Sequence, residues 1–87
     1  MIIFYNKATG AIEGNIEGRI HDESHLKMWV GDKNRTERII CQWKKEGTVW
    51  LPDMNEEQRN IFISLDKKET KPSQYKVDIT TKRLELK

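Results

Sequence analysis

A single cysteine, Cys41, stands in the 87 residues, which excludes an intrachain disulfide and a multi-cysteine zinc site and fits a reducing compartment. Long apolar runs are missing as well. The longest, Met1 to Tyr5, is five residues against the roughly 20 that a helix needs to cross a bilayer, and it is too short for the core of a secretory signal. A cytoplasmic location without membrane contact is therefore expected. Charge of one sign is scarce: 16 Lys and Arg against 14 Asp and Glu leave +2, too little field to draw in nucleic acid or anionic lipid by itself. Residues 1–32 carry three basic and five acidic groups and residues 33–87 carry 13 and 9, an asymmetry of −2 against +4 that identifies no partner alone. Glycine-rich phosphate loops and a serine nucleophile elbow are absent, and neither a catalytic residue nor a cofactor is expected.

Apolar residues are also short, at 36% with a mean hydropathy of −0.83, below the roughly 45–50% usual for a globular chain. Three tryptophans compensate, because each large ring can bury about 150–250 Å². The length suits one domain, residues 1–87, with one small core.

The order of elements follows from periodicity and turn chemistry. Ile2 to Tyr5 is β-prone, Asn6 to Gly10 is a turn, and Ala11 to Ile20 alternates, which reads as a hairpin. Its second arm places Ile12, Gly14, Ile16, Gly18 and Ile20 on one face, with room above the glycines for an aromatic ring. Residues 23–30 read either as a short helix after Asp22, ending before Gly31, or as a strand with Leu26, Met28 and Val30 inward. Thr36 to Lys44 reads as a strand with Ile39, Cys41 and Trp43 on one side. Lys45-Glu46-Gly47 turns it back into Thr48 to Leu51. Asp53 and Glu56 have capping-box spacing ahead of a helix over about 54–67, with Met54, Ile61, Phe62 and Leu65 on one stripe. Gln74 to Ile79 and Arg83 to Leu86 make a third hairpin. The expected class is α+β: a small antiparallel sheet built from three β-hairpins, the helix across one face and the other face solvated.

The turn strings Asn6-Lys7-Ala8-Thr9 and Asp78-Ile79-Thr80-Thr81 share an Asn or Asp three residues before a Thr. This wording resembles hairpins of bacteriophage tail and accessory proteins, and the resemblance implies a small viral-type accessory or inhibitor protein.

Chemistry-bearing strings are few. His21 and His25, four apart, would share a helix face and resemble a metalloprotease signature, but no third ligand follows and no metal is expected. Cys41, between Ile39 and Trp43 on an alternating strand, is expected to be buried and inert. Asp32 to Thr36 begins like a calcium loop, but Glu37 and Trp43 stand where glycine and the closing Glu belong. What remains is Trp29, Trp43 and Trp50 among Arg38 and Lys44, residue types favoured at protein interfaces. The expected function is a non-catalytic binding or assembly module that meets a protein partner, or itself as a homo-oligomer. Contact would run through this patch or through sheet edges at Ile2 to Tyr5 and Gln74 to Ile79. The alternative is a single-stranded nucleic-acid binder that stacks bases on the same rings.

Overall fold

The computed structural model describes residues 1–20 and 23–87. Strands β1 (Ile2–Asn6), β2 (Ile12–Ile16) and β3 (Thr36–Ile40) form an antiparallel sheet in the order β2-β1-β3. Two further hairpins follow, β4 (Trp43–Glu46) with β5 (Val49–Pro52), and β6 (Tyr75–Asp78) with β7 (Arg83–Leu86). Helix α1 (Glu56–Asp66) lies between them in the chain. This is the expected α+β class with its three hairpins and its helix, though the strands divide among three small sheets.

The division occurs because the strand expected over Thr36 to Lys44 changes partners midway. Cys41 N–H still donates to the Met1 carbonyl at 3.0 Å, but Gln42 turns to a parallel bridge with Ile20 and accepts from the Asp53 N–H at 2.8 Å. That second bond also displaces the helix start. With Asp53 held in the hairpin, the cap falls to Asn55, whose side-chain oxygen accepts from the Gln58 N–H at 2.9 Å. Residues 23–30 form neither expected element in full: Glu23–Lys27 is a 3-10 helix and the chain then runs on irregularly through Trp29.

The expected solvated face does not exist on the central sheet, because Ile2, Ile3, Phe4 and Tyr5 are all buried. Alternation sends Ile3 and Tyr5 into a main core with Ile39, Cys41, Trp43, Phe62, Leu65, Tyr75, Val77 and Leu84. It sends Ile2 and Phe4 into a second core with Ile20, against which Ile16, Leu26, Trp29 and Ile40 pack. β2 serves both cores through a bulge. Phe4 pairs with Gly14 and Tyr5 with Ile12, so Glu13 has no partner across the ladder. Ile12 therefore joins the main core and Ile16 the second, rather than sharing a face. The space above Gly14 is taken by Val30 rather than by a ring, at 3.0 Å from where a Cβ would stand.

The two similar turn strings fold identically. The Asn6 side-chain oxygen accepts from the N–H groups of Ala8 and Thr9, and that of Asp78 accepts from Thr80 and Thr81, at 2.9–3.3 Å. The fifth residue of each, Gly10 and Lys82, takes positive φ and donates to the first residue's carbonyl at 2.7 Å. The shared spacing is thus turn chemistry. Gly10 also passes so close to β6 that a Cβ would lie 2.0 Å from the Val77 carbonyl oxygen, while the Val77 N–H donates to the Gly10 carbonyl at 2.9 Å. This bond occupies the outer side of β6, and β1 is hydrogen-bonded on both sides, so neither edge proposed for strand addition stands open along its length.

Gln58, on the buried face of α1, treats β7 as a strand would. Its amide donates to the Leu84 carbonyl and accepts from the Leu84 N–H, both at 2.9 Å. At the other end, α1 closes in a Schellman motif: Lys68 N–H donates to the Leu65 carbonyl and Glu69 N–H to that of Ser64. Lys68 takes the left-handed position at φ 60, where glycine would be preferred by about 1 kcal/mol.

Gly10→Ala is expected to cost at least about 2 kcal/mol, since it combines left-handed strain with a backbone clash; a thermal midpoint within a degree or two of wild type would contradict this. Gln58→Leu, which strands both backbone groups of Leu84 in the core, is expected to cost about 1–3 kcal/mol in a denaturant titration.

Candidate functional site

The five residues singled out from the sequence do not converge. Trp43 is buried in the main core, with only 8% of its surface exposed. Its outer face is covered by Arg19, whose guanidinium carbon lies 4.4 Å from the ring centroid. Arg19 is held there by a fork onto Asp66 at the end of α1, with Nη2 to Oδ2 at 2.9 Å and Nε to Oδ1 at 3.4 Å. In the alternating arm Arg19 falls on the face opposite Ile16, Gly18 and Ile20, with no sequence signal for this contact. Positive φ at Gly18 ends the alternation there and redirects the side chain. Asp66 lies 47 positions away, so no local spacing announces the pair.

Trp29 belongs to the second core. Its ring meets Phe4 edge to face at 5.5 Å, and its indole N–H donates to the Thr36 hydroxyl at 3.1 Å. Arg38 lies over this ring at 4.7 Å and donates to the backbone carbonyls of Leu26 and Met28. Arginine thus meets tryptophan twice, each time as an internal fastening, and the Arg38 guanidinium satisfies carbonyls that an irregular segment would otherwise leave without partners.

Trp50 differs from the other two, with 40% of its surface exposed. It stands on β5 opposite Lys45, and every residue from Lys44 through Trp50 is exposed, so both faces of the ribbon's turn end are open. Lys44 faces away from Trp50 and pairs with Glu46 and Asp53, each at 3.3 Å. Those two carboxylates, Glu46 first, push the Lys44 ammonium above its ordinary range.

A cavity of about 350 Å³ opens where the Arg19–Asp66 pair meets the main core. Trp43, Phe62, Leu65 and Met1 give it apolar walls, and Glu17 and Lys68 stand at its rim. The α-amino group of Met1 donates to the Gly18 carbonyl at 2.6 Å, and burial lowers its pKa.

Cys41 sits as a core residue. Its thiol is fully buried, and burial pushes its pKa up to about 11, so the thiolate is scarce at neutral pH. Among the described residues no three His, Cys, Asp or Glu side chains converge as a metal ion would require. His21 and the side chain of His25 lie outside the described residues. Among the described residues no helix is long and apolar enough to cross a membrane.

Because the folded thiol ionises near 11 and an unfolded one near 9, alkaline pH draws a proton from the unfolded chain first. The associated stability is present below pH 9 and is lost as pH rises through 11. Unfolding free energy measured across that window should fall less steeply in Cys41→Ala than in wild type, and a thiol reagent at pH 8 should label Cys41 only after denaturation. Compared with protein-family models, with curated proteins and with solved structures, the chain matches none.

Proposed function

We propose that the chain is a non-catalytic binding or assembly module whose contact surface is the turn end of the β4–β5 hairpin. The observation that supports this is the adjacent pair Val49 and Trp50, 53% and 40% exposed in a chain whose apolar side chains are otherwise scarce. Trp is among the residues most enriched as interface anchors, and such anchors are bordered by a polar rim. Lys45, directly across from Trp50, supplies that rim on the Trp50 face, while Lys44 lies on the opposite face, paired with Glu46 and Asp53.

A second copy of the chain is the simplest partner that such a ribbon can meet, because two ribbons related by a twofold axis bury both Trp50 rings together. The nucleic-acid reading needs several rings on one basic platform. Trp43 and Trp29 are spent in two separate cores, and Arg38 and Arg19 lie over them. The hairpin reading is therefore preferred.

Sedimentation equilibrium over a range of concentrations is expected to give wild type a mass rising to a defined oligomer, while Trp50→Lys stays monomeric with the same thermal midpoint. Monomeric wild type throughout would remove the self-contact form of the proposal. Trp fluorescence quenched by a single-stranded oligonucleotide at low salt, and restored by added salt, would favour the nucleic-acid reading instead.

A further inference from the structure

The cavity under the Arg19–Asp66 pair is not isolated. A second hollow of about 310 Å³ adjoins it, with Thr70, Lys71 and Pro72 at its far end, and the two share Met1, Glu17, Leu65 and Lys68 as walls. Together they make one elongated groove beside the C-terminal end of α1. The inner end is aromatic and the outer end is basic. Gly18 leaves the inner end open, since no atom lies within 4 Å of where its Cβ would stand.

The charges along the groove do not balance. Asp66 is neutralised by Arg19. Among the described residues Lys68 and Lys71 form no ion pair, and Glu17 is the single acid facing them without one. Lys68 stands where the two hollows meet, and it does so at φ 60, the position in a Schellman motif that glycine fills best. A lysine there costs about 1 kcal/mol relative to glycine, as Lys82 does at φ 58 in the β6–β7 turn, and it leaves a long cationic side chain beside the groove.

We propose that this groove receives the C-terminus of a partner polypeptide, with an aromatic or branched terminal side chain in the Trp43–Phe62 end and the α-carboxylate on Lys68. The argument is one of chemical spacing. A terminal residue carries its carboxylate two bonds from its side chain, and Lys68 lines the same hollow that Trp43, Phe62 and Leu65 wall. The residues before the terminus leave along Lys71 and Pro72. A phosphate group fits less well, because the planar fork that favours it belongs to Arg19, which is already committed to Asp66. This site is separate from the Trp50 hairpin and goes beyond the function proposed above.

The test is a 1H–15N NMR titration of the whole chain with N-acetyl-Gly-Gly-Phe, ending in a free carboxylate, and with its C-terminal amide. The acid is expected to shift the resonances of Gly18, Trp43, Leu65 and Lys68 with a millimolar-range Kd, and the amide to bind about tenfold more weakly. Lys68→Gly, which relieves the backbone, is expected to raise the thermal midpoint and yet weaken the acid about tenfold. A lysine with only a structural role would not separate those two readouts. Trp50→Lys is expected to bind the acid as wild type does, so failure here and failure of the hairpin proposal are distinguishable. Equal binding of acid and amide, wild-type affinity in Lys68→Gly, shifts confined to Val49 and Trp50, or no shifts at all would each overturn the proposal.

Discussion

Strand β1 has no outside. Ile2, Ile3, Phe4 and Tyr5 are buried in succession, so consecutive residues feed opposite cores, and each such side chain contributes about 1.5–3 kcal/mol relative to exposure. In a chain with 36% apolar residues this doubles the use made of one short run. It also imposes a cost: both faces of the sheet must be covered. Helix α1 and the two later hairpins cover one, and the irregular segment through Leu26 and Trp29 covers the other. A regular helix over that segment is unnecessary once Trp29 packs on Phe4 and Arg38 takes up the carbonyls of Leu26 and Met28.

What could be read in advance was local. The three hairpins and the helix follow from turn residues and periodicity, and the Asn6 and Asp78 strings contain their own hydrogen-bond acceptors. Burial of Cys41 and Trp43 follows from alternation with Ile39. What could not be read depends on bonds between distant segments. The cap moves to Asn55 because Gln42 claims Asp53, and Arg19 is held over Trp43 because Asp66, 47 positions on, takes its guanidinium. Of the three candidate tryptophans only Trp50 keeps the exposure that its role requires. The groove beside α1 involves Glu17, Lys68 and Lys71, none of which has a sequence signal beyond its charge.

The cations sort by type. Both arginines that meet tryptophan are anchored at a second point, Arg19 on a carboxylate and Arg38 on backbone oxygens, which suits a planar group with several donors. The lysines stay at the surface, paired as Lys44 and Lys76 are, or without an ion pair among the described residues as Lys68 and Lys71 are. The net charge of +2 therefore understates the basic character of the accessible groups around the groove.

The bulge in β2 has a bearing on how the chain can change length. In a regular ladder, removal of one residue turns every later side chain to the opposite face. At Glu13 the reverse holds, because Ile12 already faces Tyr5 and Gly14 already faces Phe4. Excision of that single position closes the ladder and leaves Ile12 and Ile16 on their own sides, at the loss only of the Glu13–Arg35 ion pair on the surface and some local twist. The first hairpin thus contains one place where a deletion is absorbed without reshuffling either interior.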